Sequence, residues 1–175
     1  MKNKKNMPYQ IRQSTIADIP ALLQMAEASR QIMRKSGNMH QWINGYPSEE
    51  VFRHDIEKNN SYILTCESEP VGTFAFVPSP EPTYASIYQG AWIDESKPYY
   101  VVHRIASYPD KKGIFDAMTD FCFSHTDNLR IDTHRDNHIM QHLLEKHGFT
   151  YCGIIYLENG DERLAYQKII SQPSL

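Results

Sequence analysis

Cysteine is scarce. Cys66, Cys122 and Cys152 are the only three in 175 residues, odd in number and far apart, which fits neither a disulfide framework nor a CxxC metal site. A reduced, cytoplasmic protein is the expectation. Long apolar runs are also missing: no stretch approaches about 18 uncharged apolar residues, and Lys2, Lys4 and Lys5 are followed by no apolar segment, so neither a membrane span nor a secretory leader is expected. Charge of one sign is not in excess. Eighteen Lys+Arg against 21 Asp+Glu leave a net charge of −3, which argues against a bulk electrostatic grip on nucleic acid. Repeats and low-complexity tracts are absent. What is there is ordinary for one globular domain: 41% hydrophobic and 22% charged residues, in a chain long enough to bury about 70% of its unfolded surface. Residues 1–8 read as an N-terminal tail and 9–171 as a single domain, with Pro78, Pro80, Pro82, Pro98 and Pro109 marking loops inside it.

Hydrophobic periodicity orders the elements. Gln10 to Ser14 predicts a strand. Thr15 caps a helix with Ile19, Leu22, Leu23, Met25, Ala26 and Ile32 at helical spacing up to about Ser36, and Ser48 to Lys58 predicts a second helix. Ser61 to Cys66 and Val71 to Val77 are β-branched and aromatic, joined by Glu67-Ser68-Glu69-Pro70 as a hairpin. Tyr99 to Ala106 is apolar enough for a central strand. Gly113 opens an amphipathic helix, Leu129 to Thr133 returns as strand, and Asn137 to His147 is a helix ending before Gly148. Phe149 to Tyr156 and Arg163 to Lys168 close in a hairpin around Asn159-Gly160. The order β, α, α, β, β, β, α, β, α, β, β predicts an α/β domain with a mixed sheet flanked by helices.

The most informative segment runs from His103 to Phe115, where strand, short loop and helix start follow with almost no slack. Backbone N–H groups of a first helical turn lack internal partners and can hold a pyrophosphate, a glycine lets the backbone approach it, and Lys111 and Lys112 add positive charge. On its own the segment reads more readily as a solvated turn with two surface lysines. About 25 residues on come Asp136-Asn137 and then Leu144-Glu145-Lys146-His147-Gly148-Phe149. With both segments in this order, residues 11 to 168 resemble the GNAT superfamily of acetyl-CoA-dependent N-acetyltransferases. That family reads strand, a Gln/Arg-x-x-Gly-x-Gly/Ala loop, helix, strand, then Asn, a helix and a Tyr-x-x-x-Gly-Phe ending. The resemblance implies a single-domain, mostly antiparallel GNAT-like sheet.

The resemblance also implies acetyl transfer from acetyl-CoA to a primary amine of a small molecule or peptide, by direct attack in a ternary complex. Gly113 matches the first glycine of the loop, so residues 110 to 115, among them Lys111, Lys112, Ile114 and Phe115, would wrap the pyrophosphate of coenzyme A. Ile105 and Ser107 match positions whose main chain pairs with the pantetheine amides. Asn137 matches the asparagine that bonds to the pantetheine arm or to neighbouring backbone. Three positions depart from the pattern. Asp110 replaces Gln or Arg, Phe115 replaces Gly or Ala at the close-approach point, and Leu144 replaces the tyrosine that protonates the leaving thiolate. An acetyl-CoA-binding sensor or inactive relative is the alternative these departures suggest.

No acid or base stands out. His134, just past a strand end, is a candidate base or relay, against a plain surface loop residue, and Tyr108 is a candidate substitute acid. His103, inside the central strand, reads as a packing residue. His134, His138 and His142 share a helix face, but with no HExxH and no cysteine pair nearby a solvated face is expected and no metal. Trp42 and Tyr46 lie between the first two helices, where aromatic side chains could bind an amine-bearing acceptor or simply seal the core edge. Glu81 and Glu95 flank a loop that could reach the same pocket. Pairing through an exposed sheet edge would give a homodimer.

Overall fold

The first element among the described residues is a short strand, β1 (Gln10–Gln13), after which the backbone turns on Asp18, whose carboxylate accepts the Thr15 backbone N–H at 2.7 Å and pairs with Arg12 at 2.8 Å. This is a computed structural model, and it describes residues 8–171. The expected N-terminal tail therefore lies, except for Pro8, outside the described residues. Asp18 ends a single 3₁₀ turn that feeds α1 (Ile19–Lys35), with Pro20 in its first turn and Arg34 and Lys35 in its last, the placements that suit a helix start and the negative end of its dipole. α2 (Glu49–Glu57) is capped by the Ser48 hydroxyl, which accepts from the Val51 N–H.

β2 (Ser61–Cys66) and β3 (Glu69–Pro78) form a tighter hairpin than the four-residue link suggests. Cys66 pairs with Glu69, leaving Glu67 and Ser68 as a two-residue turn with φ of 50° and 70°. Positive φ at both positions matches the right-handed twist of the strands, and this match outweighs the lack of glycine. Next come β4 (Tyr100–Ser107), α3 (Ile114–Phe123), β5 (Asn128–Thr133), α4 (His138–Lys146), β6 (Thr150–Tyr156) and β7 (Glu162–Ile169). One seven-stranded sheet results, in the order β1-β2-β3-β4-β5-β7-β6, antiparallel everywhere except between β4 and β5. α3 and α4 cover one face through Leu64, Phe74, Met118, Leu129, Ile131 and Leu144, and α1 and α2 cover part of the other through Leu22, Met25, Phe52 and Ile63. No described helix is long and apolar enough to cross a membrane.

The second face is completed by residues 79–99, which the sequence leaves as a loop. A 3₁₀ turn at Pro82–Tyr84 and a bridge of Tyr88 to Ile154 lay this segment over Val101, Ile155 and Ala165, with Tyr84 and Trp92 buried beneath it. Arg130 of β5 holds it. Its guanidinium lies 4.0 Å from the Trp92 ring centre and 3.9 Å from that of Tyr99, and it donates to the Asp94 carbonyl at 3.1 Å. Gly90 meets β6 so closely that a Cβ there would stand 1.9 Å from the Cys152 carbonyl oxygen. Because that obstacle is backbone, Gly90→Ala is expected to cost about 2 kcal/mol or more, lowering the midpoint of thermal unfolding by roughly 5 °C; an unchanged midpoint in calorimetry would contradict this packing.

Candidate functional site

β4 and β5 are paired at Tyr100 with Leu129 and at Val101 with Arg130, and then separate. β4 itself is bulged. Ala75 faces His103 while Thr73 faces Ala106, so three steps on β4 match two on β3, and Arg104 takes a φ of 53°. Such a bulge re-aims the strand and strains a residue that has a side chain. Three bonds hold it there: Arg104 Nε and Nη2 each donate to the Asp55 carboxylate at 2.6 Å, and Nη1 donates to the Tyr46 hydroxyl at 3.1 Å. Asp55 is only 4% exposed, so this is a buried, bidentate pair. A cavity of about 330 Å³ and one of about 630 Å³ open on either side of the separated strands, and both are lined by Met33, Ile105, Asn137 and Met140.

The smaller cavity is a groove between β4, α1, α3 and α4. Gly113, with φ of +77°, is the N-cap of α3. A Cβ there would meet only Tyr9, at 4.0 Å, so glycine is needed for the left-handed backbone rather than for room. The N–H groups of Ile114, Phe115 and Asp116 then have no intrahelical partner, and Lys111, Lys146 and His147 stand in the same wall. Ile32, Met140 and Leu143 make its apolar side. The Ser107 N–H points to α1 and donates to Ser29 Oγ at 3.2 Å. Phe115 turns inward and packs edge-on to His147 at 4.7 Å, so its bulk fills the core beneath the loop. His147 donates Nδ1–H to the Leu143 carbonyl, which places its other nitrogen against the Asp116 carboxylate at 2.7 Å. Lys112 does not line the groove; its carbonyl accepts the Tyr9 hydroxyl. Asp110 lies beside Lys111, 3.8 Å away. Leu144 is fully buried in the core and lines neither cavity.

Asn137 sits where the two cavities meet. Its Oδ1 caps α4 by accepting from the Met140 N–H at 3.0 Å, and its Nδ2 donates to Gln41 Oε1 at 2.9 Å. Gln41 belongs to the loop between α1 and α2. That loop is organised by Arg34, which donates to the carbonyls of Asn38, Gln41 and Trp42 at 2.8–3.0 Å, and it carries Trp42 and Tyr46 into the wall of the larger cavity.

The opposite wall holds a pair that sequence spacing does not reveal. His103 Nε2 lies 3.2 Å from Glu81 Oε2, and both residues line the larger cavity. The His103 hydrogen bond brings the Glu81 carboxyl down to about 2, with Thr83 helping and burial opposing. Asp132 lines the same cavity and accepts the hydroxyl of buried Tyr84, whose own ionisation is pushed far up by burial and by that carboxylate. Arg163 and Thr133 complete the wall. Asp55 with Arg104, His103 and Arg163 were outside the expected site, and Glu81 entered it only as one flank of a loop that could reach the pocket, because the paired residues come from distant parts of the chain.

The two expected catalytic residues, like Lys112, fall elsewhere. Tyr108 lines neither cavity; its hydroxyl donates to Gln24 on α1 and its ring packs with Leu22 and Phe52. His134 lies just beyond β5 and also lines neither. Its Nδ1 accepts the Asp136 backbone N–H at 3.0 Å; since an amide can only donate, the neutral ring carries its proton on Nε2. Burial, followed by the Arg163 charge, pushes this histidine below its ordinary value.

Known proteins share this fold. An acetyltransferase of the GNAT family from Streptococcus agalactiae is 30% identical over 94% of this chain and 96% of its own, with a TM-score of 0.85. A putative acetyltransferase from Staphylococcus aureus, 22% identical over 93% of this chain and 99% of its own, has the same fold at a TM-score of 0.68. So does a ribosomal-protein-alanine N-acetyltransferase from Brucella melitensis, 18% identical over 92% and 99%, at 0.61. No family model and no curated protein matches the sequence. The chain belongs to the GNAT family of acetyltransferases. It is an acyltransferase by family, and the seven-stranded, mostly antiparallel sheet is the family's fold.

The Glu81–His103 pair sets an acid-stability signature. A carboxyl depressed on folding contributes stability that is present above its ordinary value of 4.5 and is lost as pH falls toward 2. The difference in thermal unfolding midpoint between wild type and Glu81→Gln is therefore expected to be largest above pH 5 and to shrink between pH 4.5 and 2. A constant difference over that range would contradict the pairing.

Proposed function

We propose that the protein is an N-acetyltransferase that takes acetyl-CoA in the smaller groove and a primary amine, on a small molecule or peptide, in the larger cavity. The observation that carries this reading is the meeting of the two cavities at Ile105 and Asn137, where β4 and β5 have separated. The groove fits the coenzyme: unpartnered N–H groups at the start of α3 and the Lys111 and Lys146 ammonium groups suit a diphosphate, and Ile32, Met140 and Leu143 suit an extended apolar arm. When bound, acetyl-CoA supplies a thioester already activated toward amines. Residues 9–171 act as one unit in this scheme.

What remains for the protein is to position an amine, take its proton and exclude water. Trp42 and Tyr46 form one side of the acceptor cavity. His103 is the base. Glu81 is ionised, so a neutral His103 must carry its proton on Nε2, facing that carboxylate, which leaves the Nδ1 lone pair to accept the ammonium proton. Glu81 then stabilises the imidazolium. His134 and Tyr108 take no part, since the His134 lone pair is bound to a backbone amide and the Tyr108 hydroxyl to Gln24. Release of free thiol from acetyl-CoA across an amine panel tests the reaction, and initial rates should give intersecting double-reciprocal lines, as a ternary complex requires. His103→Gln is expected to lower kcat about 100-fold with the affinity for acetyl-CoA retained. Parallel lines, unchanged kcat, or binding without turnover on any amine would each contradict the proposal, the last in favour of a coenzyme sensor.

A further inference from the structure

We infer that the acceptor amine also carries a carboxylate a few bonds away, and that Arg163 binds it. The inference rests on the acetyl-transfer reading above and names the acceptor class for the same cavity. Arg163 lies on β7, is 8% exposed, and lines the larger cavity. Its hydrogen bond runs from Nη1 to the adjacent Glu162 carbonyl at 2.9 Å, and among the described residues no carboxylate lies within ion-pair distance of it. Its neighbour Glu162 is already engaged by Arg135. A guanidinium has five N–H donors in a planar fork that matches a carboxylate, and burying it without a counter-ion is costly.

Other arginines show how guanidinium groups are partnered in this fold. Arg104 has the Asp55 carboxylate, Arg34 has three loop carbonyls, and buried Arg130, which does not line the cavity, is clamped between two rings and leaves only its Nε buried without a partner. Arg163 alone of these four faces the cavity with donors to spare.

The placement of the opposite charge gives the acceptor its shape. Asp132 pairs with Ala165, so Arg163, two residues along β7, projects from the same face of the sheet as Asp132. Diagonal neighbours of this kind sit roughly 7–8 Å apart, yet the two side chains do not pair. Among the described residues, the hydrogen bond to the Asp132 carboxylate comes from the Tyr84 hydroxyl. Asp161, on the turn before β7, is bound to Asn159 rather than to Arg163. The wall thus displays a negative group beside the Glu81–His103 pair and a positive group a short way beyond, matching a compact zwitterion whose ammonium faces Asp132 and His103 and whose carboxylate faces Arg163.

Thiol release with matched amino acids, their carboxamides and their decarboxylated amines tests this. Wild type should favour the acids by at least tenfold in kcat/KM, and Arg163→Gln should lower that ratio at least tenfold through the KM for the acid, with Arg163→Lys recovering part of it. Calorimetric titration of the amino acids into coenzyme-loaded wild type and Arg163→Gln reads the same preference without turnover. Equal use of acids and amides, or a preference that survives Arg163→Gln in a variant that still unfolds cooperatively, would overturn the inference while leaving acetyl transfer intact. Failure to bind acetyl-CoA at all would instead overturn the reading on which it rests.

Discussion

Two parallel strands that pair for only two residues and then part are the constraint on which the rest of this molecule depends. Buried backbone N–H and C=O groups need partners, so strands do not separate inside a sheet unless something else meets their polar edges. Here the parting is enforced on β4 by the Arg104 bulge, and the bulge is enforced by Asp55, delivered from α2. The polar edges exposed by the parting face two cavities rather than the core. One edge already shows its need for a partner, since the Ser107 N–H borrows the Ser29 hydroxyl.

Around that opening, charge is used mainly for position. Arg34 gathers three carbonyls and shapes the loop that brings Trp42 and Tyr46 to the cavity. Arg130 clamps residues 79–99 against the sheet, which in turn carries Glu81 and Tyr84 to His103 and Asp132. Buried ion pairs add little net stability, but breaking one is costly, so these contacts hold a geometry rather than strengthen a core. The same economy explains the loop before α3: Phe115, bulky where the family has glycine or alanine, is absorbed into the core beside His147 instead of obstructing the groove.

Much of the fold is legible in the sequence because each element carries its own period. The α3 and α4 helices, the 61–78 hairpin and the last hairpin all announce themselves through alternation, caps or turn residues, and Gly113 marks a backbone conformation that other residues resist. Residues 79–99 do not, because their order comes from contacts with β5 and β6 rather than from any local pattern. The site is legible only in part. The proposed coenzyme side follows from a loop and a helix start contiguous in sequence, whereas the proposed acceptor side is built from pairs 22, 48 and 49 residues apart. Such pairs leave no periodic signal, and His103 accordingly reads as packing until Glu81 is seen beside it. Tyr108 misleads for the same reason, its hydroxyl being taken by Gln24, 84 residues away.

In the proposed reaction, coenzyme and acceptor meet through the gap between β4 and β5. A crystal structure of the protein with bound coenzyme A tests it most directly. The pyrophosphate is expected at the first turn of α3 and the thiol between Ile105 and Asn137, opening toward His103. A thiol directed away from the larger cavity, or a coenzyme bound outside the groove of Lys111, Ile114 and Leu143, would contradict it.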